Sequence, residues 1–393
     1  DTHRAEQRDR PLFRAFVQIF WAQLNLDDWQ WREIPDIAGC CYSLWLALCN
    51  TSQTTYVKTF NPTLEEDGWL CNGSVIIVRQ RDMPFLVDSL RLELNRRGMT
   101  LHTIKSTLLD VARNADGELV NVQAIAQKRN LQQGLEWQQE AVIFLEVAVI
   151  TSEDERLEIQ SAIKEVLVEV AVVVADYQPM LDGIREVRQS LSYAPDKTQA
   201  EECQAFLDWL ADSHFTFLGL RTLDLQEPGK SLQLAEDSAT KLGVFRRAPA
   251  TGELIGTADF YAGSDLVSFS KSATRSTVHR RVYPDYVVVK RFSPEGEVVG
   301  ETRILGLFTY AVYSLSPRSI PLLRQKVERV MARSGLAPVS HDGKNLVRVI
   351  ESFPRDELFQ SDPETLFQTI MGITRINERR VVRLFMRNDP FGK

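Results

Sequence analysis

The amino-acid sequence predicts an α+β, multi-domain protein, with a sheet-plus-helices domain, then an antiparallel domain, then a helical segment. Three observations lead there. A strand–turn–helix–strand run occupies 74–111, short strand-like segments separated by Gly and Pro recur from 214 to 314, and helical periodicity returns after 317. A length of 393 residues agrees with two or three domains.

Residues 12–50 read as helices, because Phe13, Phe16, Val17, Phe20 and Leu24 recur at helical spacing, as do Tyr42, Leu44, Trp45 and Leu48. Asn61-Pro62 marks a turn, and Trp69 is expected at the edge of the first sheet. The apolar run Ser74 to Val78 predicts a strand over 74–80, ended by the charged turn Arg81-Asp82. Pro84 then opens a helix over 84–97, since its missing N–H would be an orphan donor in the first turn anyway. Leu86, Leu90 and Leu94 supply its apolar face, and Arg96-Arg97-Gly98 closes it with cations and a glycine stop. Strands follow at 101–111 and 119–128, joined by the hairpin turn Asn114-Ala115-Asp116-Gly117, and at 140–150. Ile159, Ile163, Val166, Leu167 and Val170 give a helical stripe, while the β-branched stretch 170–175 stays open between helix and strand. The order is βαβββα, with one strand extra and the closing strand either missing or hidden in 168–175.

A second domain is expected from the helix at 198–212, where Cys203, Phe206, Leu207 and Leu210 share a face. Strands at 214–223, 230–235, 242–247, 266–270, 277–292 and 298–314 suggest an antiparallel sheet, with turns at Pro228-Gly229, Ala262-Gly263 and Pro294-Glu295-Gly296. From 317 the chain is helical. Leu322, Leu323, Val327, Val330 and Met331 form one stripe, and Asp362-Pro363-Glu364 is a helix start. The strand at 381–386 would begin a further domain. The expected divisions are a helical segment at 1–70, domains at 71–192 and 198–316, a helical segment at 317–380, and the start of another domain at 381–393. The junction falls between 190 and 198, where Pro195 disfavours helix at Ala194.

Composition is ordinary for a globular protein, at 44% hydrophobic and 25% charged, and a net charge of −7 argues against a nucleic-acid partner. The five Cys lack metal-ligand spacing, so free thiols in a reducing cytoplasm are the simplest reading. No segment reaches the roughly 18 apolar residues of a membrane span. The stretch DTHRAEQRDR at 1–10 has no apolar core of the signal-peptide kind.

Chemistry-bearing motifs are scarce. No GxGxxG follows a strand, and GxSxG and HExxH are missing. Gly229-Lys230-Ser231 resembles the end of a phosphate loop, but Asp224 stands where its first Gly belongs. The five His are far apart, so no metal site is expected. Trp21, Trp29 and Trp31 read as core or subunit interface. Acidic runs such as Glu65-Glu66-Asp67 and Glu153-Asp154-Glu155 suit turn and capping positions. A basic strand pair at 271–292 is more distinctive. Arg275, His279, Arg280, Lys290 and Arg291 are candidates for an interdomain or small-anion contact, with Tyr283 and Tyr286 interleaved, although strand alternation would place such charges on a solvated face.

Several segments together resemble one family. FNPTLEEDGW at 60–69, DMPFLVDSL at 82–90, HFTFLG at 214–219 and RSTVHRRVYPDYVVVKRF at 275–292 are four of them. SPRSIPLLRQKV at 316–327, SHDGK at 340–344, PRDELFQ at 354–360 and RRVVRLFMRNDPFG at 379–392 complete the set. They are similar to the N-terminal region of the very large bacterial NAD-specific glutamate dehydrogenases. The resemblance implies an ACT-like (ferredoxin-like) first domain, a PAS-like second domain, and a fragment whose catalytic part lies elsewhere. No cofactor is expected in the fragment itself, and NAD serves the parent enzyme. Expected partners are the catalytic region of the same polypeptide, further copies in a homo-oligomer and an amino-acid effector, with no nucleic acid and no membrane. An alternative is a sensor domain pair acting on another metabolic enzyme, and a free-standing enzyme is disfavoured by the missing motifs.

ACT domains hold amino acids at the strand–helix turn, which makes Asp82, Met83, Pro84, Phe85 and Leu86 the candidate effector site. The family pattern usually has Gly after the Pro, where this chain has Phe85. Two readings follow. The turn binds an effector carboxylate, or Asp82 is a plain helix cap and Phe85 fills the pocket as core. As core, its loss would lower stability by roughly 3–5 kcal/mol.

Overall fold

Burial of the run Ser74 to Gln80 on both faces organises the first part of the computed structural model. The structure describes residues 2–24, 32–51, 54–125, 127, 129, 135–225, 233–236, 240–247, 254–255, 260–261 and 263–374. Trp29, Trp31, Gly229-Lys230-Ser231, Pro228, Ala262 and the strand expected at 381–386 lie outside them. The chain divides into two units, Asp1–Ala171 with Thr277–Arg281, and Val172–Ser276 with Val282–Lys393.

The first unit contains α1 (Thr2–Ala22), α2 (Ile34–Cys49), β1 (Tyr56–Phe60), β2 (Ser74–Arg81), α3 (Leu86–Arg96), β3 (Leu101–Arg113), β4 (Leu119–Gln123), β5 (Glu136–Val147) and α4 (Glu153–Ala175), whose last turn passes into the second. Its sheet has the order β1-β2-β5-β3-β4, and every neighbouring pair is antiparallel. β2 and β3 therefore run parallel with β5 between them, which makes β2–α3–β3 a split βαβ unit of the ferredoxin-like kind. The closing strand is not in 168–175. Those residues belong to α4, because Val170 and Val173 extend the buried stripe of Ile159, Ile163 and Val166, and packing overrides β propensity. Its place beside β2 is taken by β1, which precedes β2 in the chain. The extra strand is β4, at the opposite edge.

Alternation along β2 sends Val75 and Ile77 into a core with Phe16 and Phe20 of α1 and Leu44 and Trp45 of α2. Ile76 and Val78 point to the other face, towards the buried stripes of α3 and α4. Trp69 is a fully buried member of the first core, not a sheet-edge residue, and its Nε1 donates to Ser43 Oγ at 3.1 Å. A Cβ at Gly39 would lie 2.5 Å from that indole, so α2 approaches it only through a glycine. Two buried arginines fasten the end of α2. Arg113 donates to Leu48 O at 3.0 Å while its fork pairs with Glu140 at 2.8 Å, and Arg79 donates to Asn50 O at 2.7 Å.

The second unit contains α5 (Tyr177–Ser190), α6 (Lys197–Trp209), β6 (Phe215–Leu225), β7 (Gln233–Glu236), β8 (Leu242–Gly243), β9 (Leu254–Ile255), β10 (Val267–Lys271), β11 (Asp285–Phe292) and β12 (Val298–Phe308). Helices follow as α7 (Tyr310–Ser314), α8 (Leu323–Ser334), α9 (His341–Ser352), α10 (Arg355–Gln360) and α11 (Pro363–Thr374). The antiparallel, PAS-like sheet runs β10-β11-β12-β6-β7-β9, with β8 also on β6. Met180, Ile184 and Val187 of α5 share one core with Val289 of the sheet and with Val327 and Leu346 of the later helices. The contact division thus falls within α4, ahead of the junction expected at 190–198, where Leu191 and Ala194 are fully buried in that core.

Four strands are shorter than the sequence suggested. The one expected at 119–128 ends as a strand at Gln123, and the one at 242–247 is strand only at Leu242–Gly243, with a 3-10 turn over Val244–Arg246. The second half of 277–292 is β11, but 277–284 is not strand. The strand expected over 298–314 ends at Phe308, because its partner β6 begins at Phe215, the residue paired with Phe308, and no ladder remains beyond. Tyr310–Ser314 turns into α7 instead.

Replacing Arg113 by Met should leave Glu140 buried without its partner and destabilise the first unit by about 3–5 kcal/mol. Chemical denaturation should show the double change R113M/E140L to be much less harmful than R113M alone. In the second unit, burial alone would raise the Glu202 carboxyl, but hydrogen bonds from Arg324 and the Leu322 N–H hold it below its ordinary value. Asp176 is lowered in the same way by Arg246 and the Gly243 N–H against its own burial. Both depressed carboxyls contribute stability that is complete above the unfolded carboxylate pKa and is lost as pH falls through the lower folded value. Melts between pH 6 and pH 2 should therefore show the loss concentrated below about pH 4, and Glu202→Gln should flatten it.

Candidate functional site

The turn after β2 is built differently from a proline-opened helix. The helix begins at Leu86, two residues later than expected, and Pro84 lies exposed in the turn before it. Phe85 has φ 72° and ψ 0°, the geometry of the third residue of a type II turn, with Pro84 at the position that Pro favours. Gly or Asn normally fills such a left-handed position, so a phenylalanine there stores about 1–3 kcal/mol of strain. The usual Gly of the ACT pattern and the observed backbone agree, and only the side chain departs.

Asp82 is not the helix cap. No side chain caps α3, and the Asp82 N–H is tied to Gln139 O at 2.8 Å in the neighbouring strand. Burial pushes the Asp82 carboxyl up, against the pull of the Met83 N–H. The first helical bond runs from Ser89 N–H to Phe85 O at 2.9 Å, so the N–H groups of Leu86, Val87 and Asp88 have no acceptor among the described residues. Beside them lies a cleft of about 370 Å³, whose walls include Gln23, Asp82, Phe85, Asp88, Ser106 and Leu108. Phe85 is half-buried and borders this cleft without belonging to the main core. Gln23 is fixed by a reciprocal pair of hydrogen bonds with the backbone of Leu108, at 3.0 and 3.1 Å. Gln23, Ser106 and Leu108 escaped the sequence reading because neighbouring helix and strand positions meet here only after folding.

The basic candidates divide between the two units. His279 and Arg280 group with the first unit, where the His279 N–H donates to Ser89 Oγ at 3.1 Å and its ring lies 5.0 Å from that of Phe85. His279 also has a positive φ, of 66°. In the second unit Arg275 lies over the Tyr283 ring, and Arg291 pairs with Asp224 at 2.5 Å. Lys290 is not on a solvated face. It is only 2% exposed, donates to Gly263 O at 2.7 Å and sits 4.8 Å from the Phe260 ring. Burial lowers its ammonium pKa, against the pull of Asp265. Adjacent strand positions point to opposite faces, so Lys290 and Arg291 cannot hold one ligand together.

Among the described residues no group of three or more His, Cys, Asp or Glu is arranged to hold a metal, and no helix is long and apolar enough to cross a membrane. The five cysteines are free, and burial pushes the thiols of Cys41 and Cys203 up to about 12, which keeps them protonated and unreactive.

Comparison with known proteins accounts for this pairing of a sensor-type sheet with a helical segment. Residues 16–163 match the family model "Glutamate dehydrogenase, ACT1 domain", a span from within α1 to within α4, and residues 320–379 match "Glutamate dehydrogenase, helical motif 1". NAD-specific glutamate dehydrogenases from Pseudomonas aeruginosa and Halomonas elongata are 38% and 39% identical over 98% and 96% of the chain. The chain belongs to the large NAD-specific glutamate dehydrogenase family. The Mycobacterium tuberculosis member is 25% identical over 77% of it. The chain spans 24%, 24% and 18% of the lengths of these three relatives. It corresponds to the ACT-like and PAS-like regulatory region of that family.

Replacing Phe85 by Gly should relieve the left-handed strain while losing a half-buried ring. The net change in stability should stay within about 1.5 kcal/mol, since the two effects oppose. A loss of the size typical of core rings, roughly 3–5 kcal/mol in urea denaturation, would show that the ring is a core element after all.

Proposed function

We propose that this chain senses a small carboxylate and helps to assemble a large NAD-dependent glutamate dehydrogenase, with catalysis elsewhere in the same polypeptide. The whole enzyme would convert L-glutamate and NAD to 2-oxoglutarate, ammonium and NADH in the cytoplasm. Its regulatory region would hold no NAD of its own. The cleft beside α3 carries the sensing role: three N–H groups without acceptors stand at one wall, and a carboxylate would accept from them at the positive end of the helix. Phe85 narrows this cleft without closing it.

The assembly role rests on α2. Its outward positions Ile34, Ala38, Tyr42 and Leu46 recur every fourth residue and are all exposed and apolar. The polar Asp36 and Ser43 of that helix instead receive the Leu70 N–H and the Trp69 Nε1–H. An apolar stripe of this kind suits contact between copies of the chain.

A thermal-shift panel of the twenty amino acids tests the sensor. One ligand at a hundred times its dissociation constant should add about 2.7 kcal/mol of stability, and Ser106→Phe should abolish the gain by filling the cleft. A flat panel would remove the sensing role. Sedimentation should show Tyr42→Glu and Leu46→Glu driving an oligomer towards monomer, and an unchanged profile would remove the assembly role. Glutamate-dependent NAD reduction by the polypeptide that carries this chain checks the parent reaction.

A further inference from the structure

Within the second unit a cleft of about 520 Å³ opens between the edge strand β10, the start of α6, α8 and the α10–α11 junction. Volumes of this order hold small organic molecules. Phe260, Phe269, Phe359 and Leu266 line it with apolar surface, beside the buried Cys203. Some of its polar lining is already committed. The Lys326 ammonium donates to the carbonyls of Leu358, Phe359 and Ser361, and Asp362 accepts from the Glu364 and Thr365 N–H groups of α11.

The remainder is not. Gln199 Oε1 is buried and accepts no hydrogen bond among the described residues. Asp265 and Arg329 line the same cleft and form no hydrogen bond or ion pair among the described residues. Gln325 stands one turn before Arg329 on α8, so both reach the cleft from one helix face. A neighbouring hollow of about 450 Å³ shares Gln199, Gln325 and Arg329, which leaves the guanidinium approachable.

One uncommitted cation, a carboxylate that already attracts the nearby Lys290 ammonium without pairing with it, and a buried acceptor without a donor surround an aromatic floor. A simple anion would meet repulsion from Asp265, and a neutral apolar molecule would leave the Arg329 charge and the Gln199 oxygen unmatched. A zwitterion with an apolar side chain satisfies all of them. We propose that this cleft binds an apolar α-amino acid, its carboxylate on Arg329, its ammonium towards Asp265 and Gln199 Oε1, and its side chain on Phe269 and Phe359. This site is distinct from the turn in the first unit and does not depend on it.

Calorimetric titration of the whole chain with L-phenylalanine and L-leucine tests this, with 3-phenylpropionate and phenethylamine as partners lacking one charge. Saturable one-to-one binding of at least one amino acid is expected, with either analogue weaker by about tenfold or more, a difference of about 1.4 kcal/mol. Arg329→Gln and Asp265→Asn should each weaken binding to a similar degree while the melting temperature holds, because both side chains are exposed. Ser106→Phe, in the other cleft, should leave this binding unchanged. Three results would each overturn the proposal: no saturable binding of either amino acid, equal affinity for 3-phenylpropionate, or binding lost with Ser106→Phe and kept in both charge variants.

Discussion

β5 lies between β2 and β3 and is buried from Glu140 to Val147, so helices must close both faces of the sheet. That requirement shapes the first unit. α1 and α2 cover one face through Phe16, Phe20, Leu44 and Trp45, and the buried stripes of α3 and α4 serve the other. The Glu140 carboxylate, held by both arms of Arg113, ties the sheet to the last carbonyls of α2. Because β5 fills the space between two parallel strands, α3 must cross over it. The crossover delivers the start of α3 to the end of the sheet where Gln23 and Ser106 also arrive, and the cleft forms there.

The same logic places the second cleft. β12 pairs with β6 and β11 over almost its whole length, which leaves β10 as an edge strand. Helices after residue 317 pack into the core of that sheet, and the α10–α11 junction comes to rest beside the open edge. In both units the candidate site occupies the margin between a rigid sheet and a helix start. Backbone strain marks the first of them, since Phe85 holds a conformation that a glycine would adopt freely.

Much of the architecture was legible in residue patterns. The apolar run at 74–78, the Asn114–Gly117 hairpin, the Leu86/Leu90/Leu94 stripe and the Asp362-Pro363 helix start all appear as elements of the expected kind. β1 was missed because five residues of mixed character carry little periodicity, and only the free edge of β2 makes them a strand. The end of α4 was ambiguous for the opposite reason, since its valines favour a strand locally while the buried stripe keeps them helical. Of the candidate site, the turn at 82–86 could be located from its sequence, but neither the left-handed backbone of Phe85 nor the capless start of α3 could.

By itself the sequence determined the class of each unit, the family and the scarcity of motifs for dinucleotide or metal chemistry, because local patterns and motif spacing are properties of neighbours in the chain. Tertiary structure alone decided which residues meet. It replaced a missing final strand with β1, buried Lys290 while leaving Arg329 open, and brought Gln199, Asp265 and Arg329 to one cleft. Those outcomes depend on pairing between segments tens of residues apart, where burial and unmet hydrogen bonds are set by the whole fold rather than by any stretch of it.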